Sequence, residues 1–241
     1  MKLGYLLTAL ASLCLATPTL AAELQCNPLG DLSYEGLAPA TFVVKADVDR
    51  LHFQRDGGED GDCPGTDASC EMRSYLVPGN PVVVTSQNGD YACATFTGGA
   101  PNFVSTSGWL AKNELEAFPP KPAESTWTGD WRQGDEQEIK IAMNPDGQLA
   151  LDGYASWGAA DPQRVANGGV NTGSIAGTVM IDKPDMVAFS LDVNGKPVAG
   201  ANLKDDSTCA VKMWKMPPYL VVADNLACGG MNVTFTGVYA K

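Results

Sequence analysis

Asp224-Asn225-Leu226-Ala227-Cys228-Gly229-Gly230-Met231-Asn232-Val233-Thr234-Phe235-Thr236-Gly237-Val238-Tyr239 runs almost to the carboxyl end of the chain. Asp-Asn, a cysteine and a Gly-Gly pair predict a tight, stapled turn in which the glycines take up backbone conformations that most residues resist. The β-branched and aromatic residues that follow predict a final strand over residues 232–239. Such a strand must pair with an existing sheet, either closing a barrel or completing a sandwich.

Upstream of this stretch, strand-sized runs recur with turn signals between them. Ile139-Lys140-Ile141-Ala142-Met143 alternates, Asn144-Pro145-Asp146-Gly147 turns, and residues 148–157 read as a long strand with a bend or bulge at Gly153. A Gly- and Asn-rich loop covers residues 158–173, and further strands are expected at residues 174–181, 186–193, 209–214 and 219–223. Seven or eight strands, each close to the next in sequence, predict an antiparallel up-and-down barrel or sandwich over residues 127–241.

Pro119-Pro120-Lys121-Pro122-Ala123-Glu124-Ser125-Thr126 reads as a stiff, extended linker, which marks residues 23–118 as a first domain. That domain is also read as β. Thr41-Phe42-Val43-Val44 and Arg50-Leu51-His52-Phe53 are strands, and a long polar loop spans residues 55–70. Tyr75-Leu76-Val77 and Val82-Val83-Val84-Thr85 flank a Pro-Gly turn, and Asn88-Gly89 signals a hairpin into Tyr91-Ala92-Cys93-Ala94-Thr95-Phe96. The whole chain is therefore expected to be all-β.

Residues 1–22 read as a secretory signal peptide: Lys2, an uncharged apolar run from Leu3 to Ala16, Pro18, and small residues at Thr19, Ala21 and Ala22. The run is too short to span a membrane and no later stretch is longer, so a periplasmic or secreted protein that does not cross the membrane is expected. Cys14 leaves with the signal. Cys26, Cys63, Cys70, Cys93, Cys209 and Cys228 remain, and the absence of Cys-x-x-Cys spacing points to disulfides, not metal. Cys209 and Cys228 are alone in the second domain and should pair, closing a loop of about 20 residues worth about 3 kcal/mol. The other four allow three pairings, of which Cys63–Cys70 with Cys26–Cys93 is preferred.

The net charge of −12 argues against nucleic acid as a partner. Residues 23–118 hold 14 acidic and 5 basic side chains, a net of −9, whereas residues 119–241 hold 14 and 10. An acidic first half can steer toward a cationic partner. Asp56, Glu59, Asp60 and Asp62 crowd one glycine-rich loop and are the candidate binding residues there. Their spacing misses the twelve-residue calcium-loop pattern, so no metal or other cofactor is expected. Trp157, at the start of the long glycine-rich loop, is the tryptophan expected to be exposed and to bind, while Trp109 is expected in the core.

Tyr-Leu-Val-Pro-Gly-Asn-Pro-Val-Val-Val from Tyr75, Asn-Gly-Asp-Tyr-Ala from Asn88 and Gly-Trp-Leu from Gly108 together resemble a bacterial Src-homology-three-type domain over residues 41–115. The resemblance implies a small β-barrel that binds peptide or cell-wall material. The cysteines and the long acidic loop depart from that pattern, and no ligand residues carry over. Trp127-Thr128-Gly129-Asp130-Trp131 resembles the opening of lipocalin- and avidin-like barrels, and the closing stretch resembles the end of small exported bacterial β-domains.

No catalytic constellation is evident. His52 is the single histidine, it sits in a strand without a nucleophile elbow nearby, and oxidised cysteines offer no thiolate. The expected function is non-catalytic binding at the cell envelope. The partner expected is a periplasmic protein such as a basic cell-wall hydrolase, neutralised by an inhibitor or immunity protein, or peptidoglycan itself. Two other readings stand beside it: a small-ligand carrier using the second barrel, and a carboxylate enzyme acting on cell-wall glycans or peptides.

Overall fold

In the computed structural model the described residues are 25–33, 37–57, 63–118 and 126–241. The expected signal peptide, the acidic-loop residues Glu59, Asp60 and Asp62, and the Pro-rich stretch at residues 119–125 lie outside them. The protein is all-β, with two short α-helices among the described residues. After α1 (Pro28–Ser33), the first half contributes β1 (Ala40–Val44), β2 (Leu51–Gln54), β3 (Glu71–Leu76), β4 (Pro81–Asn88), β5 (Tyr91–Thr97), β6 (Ser105–Ala111) and β7 (Leu115–Ala117). These strands form one sheet in the order β3-β2-β6-β5-β4-β1-β7, with every pairing antiparallel. Asn88 pairs with Tyr91, and the hairpin reverses at Gly89, whose φ of +51° suits glycine. β3 and β7 are free edges, so the hydrogen-bond ladder is open and not closed into a barrel.

The second half supplies β8 (Gly129–Gln133), β9 (Gln137–Met143), β10 (Leu149–Trp157), α2 (Pro162–Ala166), β11 (Asn171–Val179), β12 (Met186–Leu191), β13 (Pro197–Ala199), β14 (Ala210–Met216), β15 (Tyr219–Asp224) and β16 (Gly237–Tyr239). They form a four-stranded sheet, β11-β10-β9-β8, and a five-stranded sheet, β13-β12-β14-β15-β16. Alternation along β10 sends Leu149, Leu151 and Ala155 inward and Ala150, Asp152 and Tyr154 outward. The inward residues join Ile139, Ile175, Phe189, Met213 and Leu220 in one core shared by both sheets. The closed barrel implied by the lipocalin- and avidin-like resemblance does not form among the described residues. Isolated bridges stitch the second half together instead, Arg132 to Ala240 beside β16 and Gly173 of β11 to Gly229 in the turn between β15 and β16.

Four sequence expectations change. The closing strand expected over residues 232–239 is only Gly237–Tyr239, because Asn232 takes φ +67° and breaks the extended run. The left-handed positions in this turn are Leu226 and Asn232, not the glycines. Gly229 serves close approach instead: a Cβ there would lie 2.9 Å from the Gly173 Cα, and a Cβ on Gly173 would lie 2.4 Å from the Cys228 carbonyl oxygen. Gly153, expected as a bend or bulge, keeps unbroken register with β9 and β11; its missing side chain makes room for Ile175. The short β13 raises the second half to nine strands, against the seven or eight expected.

The disulfides are Cys26–Cys93, Cys63–Cys70 and Cys209–Cys228, the pairing preferred from sequence. Their closure is the chemistry of an oxidising compartment. Among the described residues no helix is long and apolar enough to cross a membrane.

The two halves meet along a third apolar cluster. Val82 and Val84 of β4 face the first core while Val83 turns outward; Leu220 and Val222 of β15 face the second core while Tyr219, Val221 and Ala223 turn outward. The outward residues pack with Leu32 of α1 and Val238. Hydrogen bonds cross the same seam, from the Tyr219 hydroxyl to the Pro81 carbonyl at 3.0 Å and from Thr97 Oγ1 to the Val238 carbonyl at 2.8 Å. Beside it lies Asp224, fully buried, whose Oδ1 accepts from Thr234 Oγ1 and Thr236 Oγ1, both at 2.6 Å. With the Thr236 proton so placed, Ser33 of α1 donates its hydroxyl to Thr236 Oγ1 at 2.7 Å.

Asp224→Ala should therefore lower stability by about 3 kcal/mol or more, since it removes two bonds to a charged group and strands one buried and one partly buried hydroxyl. Ser33→Ala should cost only about 1 kcal/mol; urea denaturation followed by circular dichroism ranks the two, and equal costs would refute the placement of Asp224 at the centre of the network. A second expectation concerns alkali. Burial raises the pKa of Tyr219, and burial together with the nearby Asp224 charge raises that of Tyr239. The unfolded phenols ionise from about pH 10 while the folded ones do not. Their stabilisation is thus complete below about pH 10 and lost as pH rises beyond it. Phenolate absorbance from these two residues should appear together with loss of the β signal, not before it.

Candidate functional site

The loop between β2 and β3 is shaped by its own polar groups. Cys63–Cys70 clasps it, Gln54 Oε1 at the end of β2 accepts from the Gly65 amide at 2.8 Å, and Asp67 Oδ1 accepts from the Ser69 amide at 2.7 Å. That last bond, made to the ionised carboxyl, lowers the Asp67 pKa below its ordinary value. A one-turn 3-10 helix, Ala68–Cys70, then leads into β3.

Beside the clasped loop opens a cleft of about 630 Å³, whose lining includes Gln54, Glu71, Asp90, Tyr91, Lys112 and Glu114. They are delivered by several separate pieces of local structure. Glu71 starts β3, Asp90 sits in the β4–β5 turn, and Lys112 and Glu114 belong to the 3-10 turn Lys112–Glu114 between β6 and β7. The Lys112 amide donates to the Asp90 carbonyl at 2.9 Å, which fixes that turn against the hairpin. Three carboxylates thus share the lining with one ammonium, a composition suited to guanidinium or ammonium groups of a partner, because carboxylates accept bidentate bonds from arginine.

Of the residues singled out in the sequence, Asp56 is engaged within the protein. Its Oδ1 accepts from the Cys26 amide at 2.6 Å and from the Trp109 indole at 2.9 Å. It thereby pins the amino-terminal segment to β6, next to the Cys26–Cys93 bond, and Trp109 is buried as expected. Glu59, Asp60 and Asp62 lie outside the described residues. Trp157, expected to be exposed, is half-buried against the second core, and the Arg164 guanidinium of α2 stacks 3.8 Å from its ring centre. Asp161 caps α2 by accepting from the Gln163 amide at 2.8 Å, and so holds Arg164 in place. Glu71, Asp90, Lys112 and Glu114 were not singled out in the sequence. Glu71, Asp90 and the Lys112–Glu114 pair are far apart along the chain, and only the turn glycine before Asp90 hinted that it would stand at a hairpin tip.

The interior of the second half, where a small-ligand carrier would hold its cargo, is filled by Trp127, Trp131, Phe189, Phe235 and their neighbours. His52 Nδ1 lies 2.9 Å from the Met72 carbonyl and donates to it, so that nitrogen is committed to the backbone. Among the described residues no three His, Cys, Asp or Glu side chains are grouped to hold a metal ion. No protein-family model, curated protein or solved structure matches the chain.

Asp56→Ala should destabilise the protein by about 1–2 kcal/mol, as expected for bonds to a partly solvated carboxylate. Asp56→Asn should recover most of that loss, since its amide oxygen can accept from the same two donors. Thermal unfolding monitored through the near-ultraviolet signal of Trp109 checks both, and an unchanged Asp56→Ala midpoint would remove the structural role.

Proposed function

We propose that this chain is an exported, non-catalytic binding protein of the bacterial envelope that captures a cationic partner at the acidic cleft. The observation that carries this reading is the grouping of Glu71, Asp90 and Glu114 beside a disulfide-clasped loop in the half of the chain that holds a net charge of −9. Cell-wall hydrolases that work on anionic wall polymers present basic surfaces of the complementary sign, and an inhibitor or immunity protein would neutralise one by occupying that surface. Peptidoglycan, through its amino groups, is the other envelope ligand of the same charge logic. Three disulfides suit a small receptor that must keep its shape in an oxidising compartment.

The resemblance of residues 41–115 to a bacterial Src-homology-three-type domain belongs to this proposal. It is supported by the long β2–β3 loop, the tight β4–β5 hairpin, and the 3-10 turn before β7, which returns to pair with β1. A non-catalytic role is supported by the engagement of the usual reactive groups elsewhere: cysteine sulfurs in disulfides and the single imidazole on a backbone carbonyl.

Titration calorimetry with a strongly basic muramidase should give saturable binding at low ionic strength that weakens as salt is added. Glu71→Lys with Glu114→Lys should reduce affinity by about tenfold or more, a loss of at least about 1.4 kcal/mol, without changing the fold. If no basic wall hydrolase binds at low salt, the proposal fails.

A further inference from the structure

The cations of the acidic first half are unevenly placed. Between residues 23 and 118 the basic side chains are Lys45, Arg50, Arg55, Arg73 and Lys112. The three arginines, with the single histidine, all lie on the β2–β3 hairpin or at its ends. His52 and Tyr75 are directly opposite in the β2–β3 register, with ring centres 5.5 Å apart. The Arg50 guanidinium carbon stands 4.7 Å from the centre of the Tyr75 ring. Arg73 is two residues from Tyr75 on β3 and so shares its face. Tyr75 keeps 44 % of its surface exposed, and Arg50 and Arg73 are exposed as well.

A groove of about 350 Å³ adjoins this face, its lining including Arg73, Ser74, Tyr75, Asn102 and Thr106. β3 is the edge strand of its sheet, so among the described residues no further strand covers it there. The groove thus offers a half-exposed aromatic ring, the Arg73 guanidinium, and hydroxyl and amide side chains that both donate and accept hydrogen bonds, with the Arg50 guanidinium outside the groove over the same ring.

We infer that the β2–β3 face binds an acidic carbohydrate chain, one that carries carboxylates on its sugar rings. The tyrosine ring offers a flat apolar surface to the C–H face of a sugar, as aromatic residues in polar grooves do. Arg50 and Arg73 offer planar donor pairs that match a carboxylate in a way lysine would not. Ser74, Asn102 and Thr106 answer the ring hydroxyls. A densely charged polyphosphate fits poorly, because the chain as a whole carries −12 and would repel it. A polymer with at most one charge per sugar is tolerated. This surface uses other residues and the opposite charge from the acidic cleft, so it does not depend on capture of a hydrolase there.

The test is calorimetric titration of the full mature chain with oligouronates prepared from alginate, with neutral dextran oligosaccharides and poly-glutamate as controls. Saturable binding of the oligouronate alone is expected. Tyr75→Ala, Arg73→Ala and Arg50→Gln should each weaken it by about tenfold or more, Tyr75→Phe should retain it, and Glu71→Lys with Glu114→Lys should not weaken it. Circular dichroism of each variant should match the parent, and because three separate exposed positions are changed, the loss of one variant to misfolding leaves two. Absence of oligouronate binding overturns the inference. So does equal binding of poly-glutamate, which would make the face a general anion surface, or undiminished binding by all the folded alanine and glutamine variants.

Discussion

Asp224 has no exposed surface, and a carboxylate in that position costs several kcal/mol unless hydrogen bonds replace the water it has lost. Thr234 and Thr236 provide that replacement at Oδ1, Oδ2 is buried without a hydrogen-bond partner, and Ser33 extends the chain of hydroxyls to the amino-terminal helix. Three segments remote in sequence are thereby required at once. β15 cannot settle with its last residue buried until residues 234–236 have folded back onto it, and that fold-back is what leaves so short a final strand. The extended run expected at the carboxyl end is interrupted where the Thr236 amide donates to Thr234 Oγ1 at 2.9 Å and not to a neighbouring strand.

The same region explains why the two halves are not independent beads. An antiparallel strand with one solvated face alternates polar and apolar residues, whereas a strand covered on both faces reads as a continuous apolar run. Val82-Val83-Val84 on β4 and Leu220-Val221-Val222-Ala223 on β15 are such runs. Each strand sends one set of side chains into its own core and the other set into the shared seam. The outer face of each sheet is in effect the partner of the other, and the Tyr219 and Thr97 hydroxyls satisfy carbonyls across it.

Against this rigid frame, the surfaces that can take part in recognition sit on turns and edges. The acidic cleft is assembled from a clasped loop, a hairpin tip and a 3-10 turn; the cationic aromatic face lies on the hairpin that ends the sheet. Loops and edges expose polar groups without disturbing a core, which is why a scaffold of this kind concentrates binding there. The disulfides restrict the same elements, one within the loop beside the cleft and one tying the amino-terminal segment to β5.

The sequence by itself determined the all-β class, most strand positions and the Cys209–Cys228 pair, and it favoured Cys26–Cys93 with Cys63–Cys70 among three possible pairings. Those properties are local: alternation, turn residues, and the small number of ways to pair a few cysteines. Burial of Trp109 was also legible, because its Gly-Trp-Leu context fixes it in a strand. Only the tertiary structure decided the rest. Trp157 looked exposed until Arg164, seven residues on, stacked over it, and Asp56 looked free until its carboxylate met Cys26 and Trp109. The glycines of the closing turn looked like conformational hinges and proved to be clearance for a backbone crossing at Gly173. The cleft residues Glu71, Asp90 and Glu114 share no motif, since charge complementarity requires proximity in space and leaves no spacing rule along the chain. The run at residues 219–223 read only as a strand; that both its faces are covered was set by packing between halves of the chain more than a hundred residues apart, as in the bond from Tyr219 to Pro81.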